Sequence, residues 1–538
     1  MAIKPARGQV RQTAQPNPQA PRMQHKTFPA PTRGWVVNEN LALAQPGGAS
    51  MLDNWFPTAT GIRLRGGSLK YATISSGPVL RMWTYKSGQV EEFFASDAAN
   101  IFNITTVADA SVIPTAAVTG QTSGYYSTAQ IGTAGGTNYL YAVNGTDSAR
   151  LYDGSTWTAI TGVSTPAITG VTTSTLSFVW LYASRLYFVK KDTMSAWYLP
   201  VDSIGGAAAE FSLAGIFQEG GYLLFGGKWS LDSGDGLDDK CVFVSSEGEV
   251  AVYQGLYPGD SGWQKVGVYK IAPPLGPNAT MQAGGDLLIA TEAGIVPISD
   301  AVRKDVAALD LSAVSRNIDT EWRAEVSRRR SMPWEIIKWP TRNMMVVSLP
   351  VTDSSVNAYC FAANLQTGAW AGRFTGWNTR CIGHYADNGY FGTNTGTIHR
   401  MDTTGSDDGA TYVSTYVGLP DHLDSPGLTK TVHQARAVFK SNVPFLPKIS
   451  ASTDYQIDLP TPPSSVTNFT VDVWDSGLWD VAKWDAGSIS QTSTQWVSIG
   501  KTGFSVSPQV QITCGVTPTP TTELVTFDML FENGSVMT

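Results

Sequence analysis

The sequence is poor in charge and in cysteine. Only 15% of its 538 residues are charged and the formal net charge at pH 7 is −7, whereas about 25% is typical of soluble domains. A nucleic-acid binder in the ordinary sense needs clustered Lys and Arg, so this composition argues against one, although it suits a wall past which DNA slides. A disulfide framework is excluded because the four cysteines lie far apart, at Cys241, Cys360, Cys381 and Cys514.

Long apolar segments are also missing. No stretch approaches the about 20 apolar residues of a membrane-spanning helix. The first residues, MAIKPARGQVRQ, are basic, but no apolar segment follows them, so we expect no secretory signal peptide. If the protein acts outside the cell that makes it, we expect it to leave that cell by lysis, as part of a particle.

Two short sequences resemble catalytic motifs, but neither has its partner residues at the spacing that the motif requires. The sequence GDSG at 259–262 matches the nucleophile loop of a serine protease, but the only upstream histidine is His25, in a basic N-terminal segment. That chemistry needs a general-base histidine beside the serine, so we expect a turn here. The sequence DGSTW at 153–157 misses the spacing of a sialidase box. We therefore expect no catalytic residue.

Zinc-ligand residue types occur between 360 and 399, at Cys360, Cys381, His384 and His399. On one strand, however, positions 381 and 384 would point to opposite faces, which a tetrahedral site does not allow without a loop. We expect neither a metal nor a cofactor.

Glycine and aromatic residues are abundant, with 53 Gly, 17 Trp and 20 Tyr. Together they are typical of many short strands joined by tight turns. Between residues 79 and 402, an aromatic strand, a Gly or Asp turn and a second strand with Trp recur. The clearest copies carry Trp157, Trp263 and Trp370, spaced by 106 and 107 residues, or two units of about 50 residues each.

Repeats of this length with aromatic and turn signatures indicate a β-propeller. We expect an all-β fold in which residues 79–402 form about six blades, plus or minus one. A helical insertion is predicted at 301–331, where Ile318, Trp322 and Val326 recur every fourth residue. Because the repeat is degenerate, an array of β-sandwiches stays open as an alternative.

The two ends of the chain differ from this middle part. Residues 1–33 hold six basic residues and six prolines, and no acid precedes Glu39. Such a segment cannot fold alone, so it is a disordered tail, an arm that orders on an acidic neighbouring subunit, or a DNA contact. Residues 34–78 are expected to supply the N-terminal strands of a β-rich platform domain, and residues 403–538 form a C-terminal β-domain.

Within the C-terminal part, Trp474, Trp479 and Trp484 are five residues apart and each is followed by Asp. Odd spacing on a strand would alternate faces. The run therefore predicts an irregular loop or hairpin that presents aromatic anchors to a neighbouring subunit.

Residues 34–74 resemble the N-terminal region of nozzle proteins of short-tailed bacteriophages, also called tail tubular protein B. In that family an early strand with Asn is followed by a Gly, a short polar stretch and a Leu-x-x-Arg element. The matching residues here are Asn54, Gly61, Leu64 and Arg65, with Arg63 adjacent.

The resemblance implies a structural virion protein: a hexameric ring of propeller-bearing tail subunits below a tail adaptor, around the DNA exit channel. Such a ring would retain genomic DNA and allow its ejection without sequence-specific binding. Tail fibres or spikes would be further partners, and assembly would take place in the host bacterial cytoplasm. The alternatives are a receptor-binding or fibre-docking tail protein and a polysaccharide-degrading propeller enzyme.

Interface residues are expected in three places: the basic arm, the segment of the resemblance and the tryptophan run. On the strand 62–65, Ile62 and Leu64 face one side while Arg63 and Arg65 face the other. Paired arginines suit a carboxylate of a neighbour or an intramolecular salt bridge. The expected set is Lys4, Arg7, Arg11, Arg22, Lys26, Arg33, Asn54, Trp55, Arg63, Arg65, Trp474, Trp479 and Trp484.

Overall fold

Most of the chain is described by the computed structural model, which covers residues 23–38, 46–230, 239–350, 358–441, 445–464, 490–515 and 521–536. Within these ranges the regular structure is almost entirely antiparallel β-strand, and three α-helices lie together between residues 298 and 329. The fold is therefore all-β with one helical insertion, as the sequence predicts.

The first strands belong to a unit that we call the platform, which also contains the C-terminal strands. They are β1 (Gln24–Pro29), β2 (Ala49–Asp53), β3 (Trp55–Pro57) and β4 (Ile62–Leu64). The next strand, β5 (Gly67–Thr73), instead pairs with a strand of the propeller.

Seven sheets of the propeller follow, and we number them as blades 1–7 in chain order. Blade 1 consists of β6 (Arg81–Ser87), β7 (Val90–Ser96), β8 (Ile101–Asn103) and β9 (Ala116–Val118). Blade 2 consists of β10 (Ser127–Gly132), β11 (Asn138–Val143), β12 (Ala149–Tyr152) and β13 (Trp157–Ile160). A short strand β14 (Ile168–Thr169) and a 3-10 turn (Thr173–Thr175) precede blade 3. Blade 3 consists of β15 (Leu176–Tyr182), β16 (Arg185–Lys190), β17 (Ser195–Tyr198) and β19 (Ala209–Ser212). The short strand β18 (Gly206–Ala207) lies between β17 and β19 in sequence.

Blade 4 consists of β20 (Leu223–Trp229), β21 (Lys240–Ser245), β22 (Glu249–Gln254) and β23 (Gln264–Lys270). Blade 5 has three strands, β24 (Thr280–Ala283), β25 (Asp286–Thr291) and β26 (Gly294–Pro297). Blade 6 consists of β27 (Glu335–Trp339), β28 (Met344–Ser348), β29 (Tyr359–Asn364) and β30 (Trp370–Thr375). Blade 7 has β31 (Cys381–Tyr385), β32 (Asn388–Gly392) and β33 (Thr397–Thr404), and β5 is its outermost strand.

The blades form a closed ring. First strands contact each other between blades 2 and 3, 3 and 4, 5 and 6, and 6 and 7, and β31 of blade 7 packs on β6 of blade 1. Between blades 1 and 2 the contact is β6 with β11, and between blades 4 and 5 it is β20 with β25. Apolar clusters fill the spaces between neighbouring blades; one of them joins Trp83 of blade 1 to Tyr126 and Tyr152 beside and within blade 2. The propeller core thus lies between the sheets, which protects every blade except for short edges.

Seven blades are one more than six, which is within the predicted range. Blade 7 takes its outermost strand from the N-terminal segment, where Ala72 pairs with Ile398. The predicted propeller range, residues 79–402, therefore omits one strand of blade 7, because β5 precedes residue 79. Residues 34–78 accordingly divide between two units: β2–β4 belong to the platform and β5 belongs to the propeller.

The repeated tryptophans occupy equivalent positions. Trp157 and Trp370 are the first residues of the outermost strands of blades 2 and 6, and Trp263 immediately precedes the outermost strand of blade 4. Each spacing of about 107 residues thus spans two blades. The repeat that the sequence indicates is confirmed.

The predicted helical insertion is three short helices rather than one. They are α1 (Ile298–Ala301), α2 (Val306–Ser312) and α3 (Asp319–Arg329), with 3-10 turns at Arg316–Ile318 and, after β27, at Pro340–Arg342. The insertion follows β26, where the other blades have a fourth strand. Trp322 and Val326 of α3 are buried, as the apolar spacing predicts.

The platform is completed by seven C-terminal strands: β34 (Tyr412–Gly418), β35 (Leu428–Ser441), β36 (Pro447–Thr453), β37 (Ser490–Ser493), β38 (Val497–Gly503), β39 (Val506–Cys514) and β40 (Glu523–Val536). Its larger sheet has the order β3-β4-β40-β35-β37, with β1 also on β40 and β38 on β35. Its smaller sheet has the order β2-β34-β39-β36. Both chain ends therefore lie in one unit.

A single apolar cluster continues from the platform into the propeller. It contains Phe527 of β40 and Ile512 of β39, Trp322 of α3, and Phe361 and Trp370 of blade 6. The Trp370 indole donates a hydrogen bond to the Val314 carbonyl at 2.9 Å. The platform thus packs on blade 6 and on the helical insertion through shared core rather than through a linker.

Candidate functional site

The segment of the resemblance forms the joint between platform and propeller, and Asn54 is its turning point. Asn54 has φ of 63°, a left-handed conformation that asparagine tolerates better than most residues. Its side-chain oxygen accepts hydrogen bonds from Arg65 Nε at 2.7 Å and from the Thr375 amide at 3.0 Å. Its Nδ2 donates to Thr375 Oγ1 and to the Val413 carbonyl, both at 2.7 Å. One buried amide therefore connects β4, blade 6 and β34.

Arg65 is fully buried in the same joint. Its Nη1 and Nη2 donate to the two oxygens of Asp407 at 3.0 and 2.7 Å, and Nη2 also donates to the Thr375 carbonyl at 2.6 Å. The guanidinium lies 3.8 Å from the ring centre of Tyr412. Burial alone would lower the pKa of Arg65, but the Asp407 carboxylate outweighs it and the pKa is raised. Arg65 is therefore held as a cation.

Arg63 projects from the other end of the same face and reaches a second carboxylate. Its Nη2 lies 3.3 Å from Asp402 Oδ2, and Arg342 Nε lies at 3.3 Å from the same oxygen. Asp402 also accepts a hydrogen bond from the Gly66 amide. Burial opposes ionisation of Asp402, but the two guanidiniums hold the pKa of its carboxyl below its usual value.

Both arginines of this strand thus bind carboxylates of their own chain. Of the two alternatives for the pair, the intramolecular salt bridge is the one in this structure. Asn54, Trp55 and Arg65 are all fully buried, so their side chains are not available to a neighbouring subunit. Arg63, with a side chain 24% exposed, is partly accessible.

The part of the basic arm that the structure describes is folded into the platform. In β1, Lys26 Nζ lies 3.1 Å from Asp424 Oδ2, and Phe28 is buried. Arg33 follows in a turn beside Gly47. The remaining predicted interface residues, Lys4, Arg7, Arg11, Arg22, Trp474, Trp479 and Trp484, lie outside the described residues.

An open groove of about 640 Å³ lies beside β1. Its walls are formed by β1, by the turn at Pro46–Gly48 and by the loop that carries Leu419, His422 and Asp424. The groove adjoins Lys26, a residue of the predicted interface set. It lies on the side of the platform where residues 1–22 join the fold.

The second concave surface is a cavity of about 320 Å³ in the propeller. The beginnings of five innermost strands line it, through Arg81, Thr128, Thr280, Ile336 and Ile382. It therefore lies at one end of the propeller axis. Sequence reasoning missed it, although a charged residue that opens an otherwise apolar innermost strand, as Arg81 does, is a signal.

A buried ion pair lies at this cavity. Arg81 Nη1 is 2.8 Å from Glu335 Oε1, and Glu335 Oε2 accepts a hydrogen bond from the Ile382 amide at 3.0 Å. Burial raises the pKa of the Glu335 carboxyl, against the opposing effect of Arg81. For Arg81 the attraction of Glu335 outweighs burial, and its pKa is raised.

The other residue types that suggested chemistry are structural. The GDSG sequence is a turn between β22 and β23, in which Asp260 accepts a hydrogen bond from Gly262. Cys360 is buried, and burial raises the pKa of its thiol to about 12. Among the described residues, no three His, Cys, Asp or Glu side chains are grouped as metal ligands. No helix within the described ranges has the length and apolar character needed to cross a membrane.

Comparison with known proteins gives structural similarity only. No family model and no curated protein matches the sequence. The β-propeller domain of Cps50 (Swd1) from Myceliophteria thermophila is similar with 10% identity and a TM-score of 0.38, over 63% of this chain and 100% of that one. YCF48 bound to D1 peptide has 12% identity and a TM-score of 0.33, over 63% and 98%. YCF48 from Cyanidioschyzon merolae has 9% identity and a TM-score of 0.35, over 62% of this chain and 98% of that one. Similarity at this level says nothing about activity or partners.

Proposed function

We propose that the protein is a structural virion protein, the nozzle subunit of a short-tailed bacteriophage tail, and not an enzyme. Six copies would form a ring around the DNA exit channel below the tail adaptor. One observation carries the proposal: the residues that resemble nozzle proteins are the residues of the joint. Asn54 and Arg65 make its hydrogen bonds, and the Leu64 amide donates to the Thr522 carbonyl of the C-terminal part at 2.9 Å.

Gly61 has a comparable role in the joint. A Cβ at this position would overlap with the carbonyl oxygen of Leu524, so only glycine allows β4 to lie this close to β40. Asn54 and Arg65 thus fix the platform to blade 6, while Gly61 and Leu64 hold β4 against the C-terminal strands of the platform. A ring subunit that must resist the pressure of packaged DNA needs such a joint, because buried charged hydrogen bonds resist rotation between units.

The charge of the chain fits a wall rather than a binding site for DNA. The net charge is −7, so the DNA backbone would pass without many Lys and Arg contacts that retard it. Some arginines are also paired with a carboxylate of their own chain, as Arg65 is with Asp407 at 2.7 Å and Arg373 with Glu321 at 2.8 Å. In this proposal, DNA is held and released by the shape of the channel.

Residues 1–22, which join the fold at β1, are proposed to bind an acidic surface of a neighbouring subunit or of the adaptor. They contain Lys4, Arg7, Arg11 and Arg22 and no acid. A segment of this composition orders on a complementary partner. Tail fibres or spikes would dock on the outer surface of the ring.

Electron microscopy of virions of the phage that encodes this chain tests the proposal. The seven-bladed propeller with its platform is a body large enough to be fitted without prior assumptions about its place. Six copies around the axial channel, next to the adaptor, are the expected result. Copies at the periphery of the tail would contradict the nozzle and favour the fibre-docking alternative. Particles without this chain would contradict a virion function altogether.

A further inference from the structure

The axial cavity of the propeller has more hydrogen-bond donors than partners for them. Arg81 and Asn278 line it. Arg81 Nε and the Tyr125 O–H are enclosed donors without an acceptor among the described residues, whereas the Asn278 amide is hydrogen-bonded to the Tyr125 oxygen. The one enclosed acceptor beside them is Glu335 Oε1, which lies 2.8 Å from Arg81 Nη1. Leaving such groups unpaired is unfavourable, so the folded protein gains if a ligand or water accepts from them.

The charges of this group do not balance either. Two guanidiniums, Arg81 and Arg380, lie near one carboxylate, Glu335. Glu335 contacts Arg81, whereas Arg380 Nη1 has only the sulfur of Met332 at 3.6 Å and no ion pair among the described residues. With both arginines and the glutamate ionised, the group has one net positive charge. A buried or half-buried net charge is unfavourable unless a counter-ion joins it.

From the unpaired donors and the unbalanced charge, we propose that this cavity binds a carboxylate group, as a small carboxylic acid or as the end of an acidic peptide. A carboxylate brings the one negative charge that is missing and accepts from N–H and O–H donors. The cavity volume of about 320 Å³ is at the lower end of ligand pockets, so a few carbon atoms fill it. Thr128, Thr280 and Ile336 would contact the rest of the ligand. The site is separate from the joint and does not depend on the nozzle function.

The isolated full-length protein and ¹⁹F NMR of trifluoroacetate provide the test. Trifluoroacetamide has nearly the same shape without the charge and is the matched control. We expect saturable binding of trifluoroacetate in the millimolar range, and at least tenfold weaker binding of the amide. A peptide with a free terminal carboxyl should displace trifluoroacetate better than its amidated form if the natural ligand is a peptide end, and equally poorly if it is a free acid. Equal binding of trifluoroacetate and trifluoroacetamide, or no saturation at trifluoroacetate concentrations well above the millimolar range, would overturn the proposal.

Variants identify the site. Asn278→Asp replaces a donor by a negative charge and should weaken trifluoroacetate binding at least tenfold, and Arg380→Gln should weaken it at least threefold. Lys338→Gln removes the same charge from an exposed position on β27 and should leave binding unchanged. Tyr125→Phe should weaken binding, whereas Tyr126→Phe should not, because the Tyr126 hydroxyl is bonded to Gln121 at 3.0 Å instead. If folded Asn278→Asp and Arg380→Gln proteins bind as the original does, or if Lys338→Gln weakens binding equally, the assignment is wrong.

Discussion

Arg65 and Arg63 are two positions apart on one strand, yet their surroundings differ. Arg65 is fully buried and binds Asp407 through two nitrogens, whereas Arg63 is 24% exposed and shares Asp402 with Arg342. The loss of one partner from a buried pair leaves an uncompensated charge. Arg63 is partly exposed, and Asp402 keeps Arg342 as a second cation when Arg63 is removed, so this loss costs much less. The two positions therefore form a matched comparison.

We predict that Arg65→Ala lowers the free energy of unfolding by about 3–5 kcal/mol and that Arg63→Ala lowers it by about 1 kcal/mol or less. Arg65→Ala also removes a partner of Asn54 Oδ1, which adds to the difference. Denaturant unfolding monitored by tryptophan fluorescence measures both. Equal losses for the two variants would mean that the joint does not depend on Arg65.

Asp53 predicts a pH dependence of stability. It is buried next to the joint, and burial raises the pKa of its carboxyl to about 6 from a usual 3.8, against the effect of Arg373. The folded state then binds more protons than the unfolded state between pH 3.8 and 6, so the stability from this group falls as the pH rises through that window. A shift of this size corresponds to at most about 3 kcal/mol.

The expected outcome is that Asp53→Asn removes this decline, so that the variant gains stability relative to the original protein between pH 4 and pH 7. Asp528→Asn is the control. Hydrogen bonds from Thr27 and Arg436 outweigh burial and lower the pKa of Asp528, so its stabilisation is present above pH 3.8 and is lost only below it. Melting temperatures of the original protein and of both variants at pH 4, 5, 6 and 7 test this prediction. A decline that persists in Asp53→Asn would assign it to another group.

Alternation was enough to predict that Ile62 and Leu64 of β4 are buried and that Arg63 between them is more exposed, whereas Arg65 lies beyond the end of β4 and is fully buried. The carboxylates could not be predicted, because Asp402 and Asp407 lie more than 330 positions later in the chain. The pattern of one strand defines which side chains share a face, but the partner across that face depends on how the ring closes. For the same reason, the donors of the axial cavity, which come from separate blades, could not be assembled from the sequence.

At the level of elements, β5 closes the propeller by adding the last strand of blade 7. Gly67 begins this strand, and a Cβ there would overlap with the carbonyl oxygen of Ser406. Gly77, a few residues later, has open space at the corresponding position. We predict that Gly67→Ala costs about 2–3 kcal/mol because the closing strand must move, and that Gly77→Ala changes stability by less than about 1 kcal/mol. Thermal unfolding and protease resistance compare them. A tolerated Gly67→Ala would show that closure is looser than this contact implies.

The N-terminal segment contains two parts with different roles. The predicted arm, residues 1–33, includes β1, which pairs with β40 along six positions and buries Phe28; residues 1–22 precede this strand. We predict that deletion of residues 1–22 leaves the melting temperature unchanged but abolishes incorporation into particles. Deletion of residues 1–33 should also lower the melting temperature, because it exposes an edge of β40. Particles that incorporate the shorter deletion normally would contradict the role of the arm in assembly.

The blades were predictable where tryptophan marks the outermost strand, as in blades 2, 4 and 6, since that signal is local. The others follow from no local signal. Blade 5 has helices where its fourth strand would be, and blade 7 borrows β5 from the N-terminal segment. Both departures from the four-strand blade depend on contacts between residues far apart in sequence, and a periodic sequence pattern gives no information about such contacts.

For the whole molecule, both chain ends lie in the platform, and the same apolar cluster contains platform residues and blade 6. Two units with separate cores would unfold independently. Units that share a core unfold together, because unfolding of one exposes the apolar side chains of the other. Trp370 is central to this cluster: it is fully buried, is bonded to Val314 and forms a bridge with Gly34. Trp157 has the equivalent place in blade 2, far along the ring, and is only partly buried.

We therefore predict one calorimetric unfolding transition for the isolated protein. Trp370→Ala should lower the stability of the whole by about 3–5 kcal/mol and keep a single transition at a lower temperature. Trp157→Ala should cost less, about 1–2 kcal/mol, because its side chain is partly exposed and packs on residues of blades 1 and 2 rather than on the shared cluster. Differential scanning calorimetry with tryptophan fluorescence on the same samples makes the comparison. If Trp370→Ala separates the trace into two transitions, the shared core is the only coupling and Trp370 carries it. Two transitions in the unmodified protein would contradict a rigid joint, and with it the physical argument for a load-resisting ring subunit.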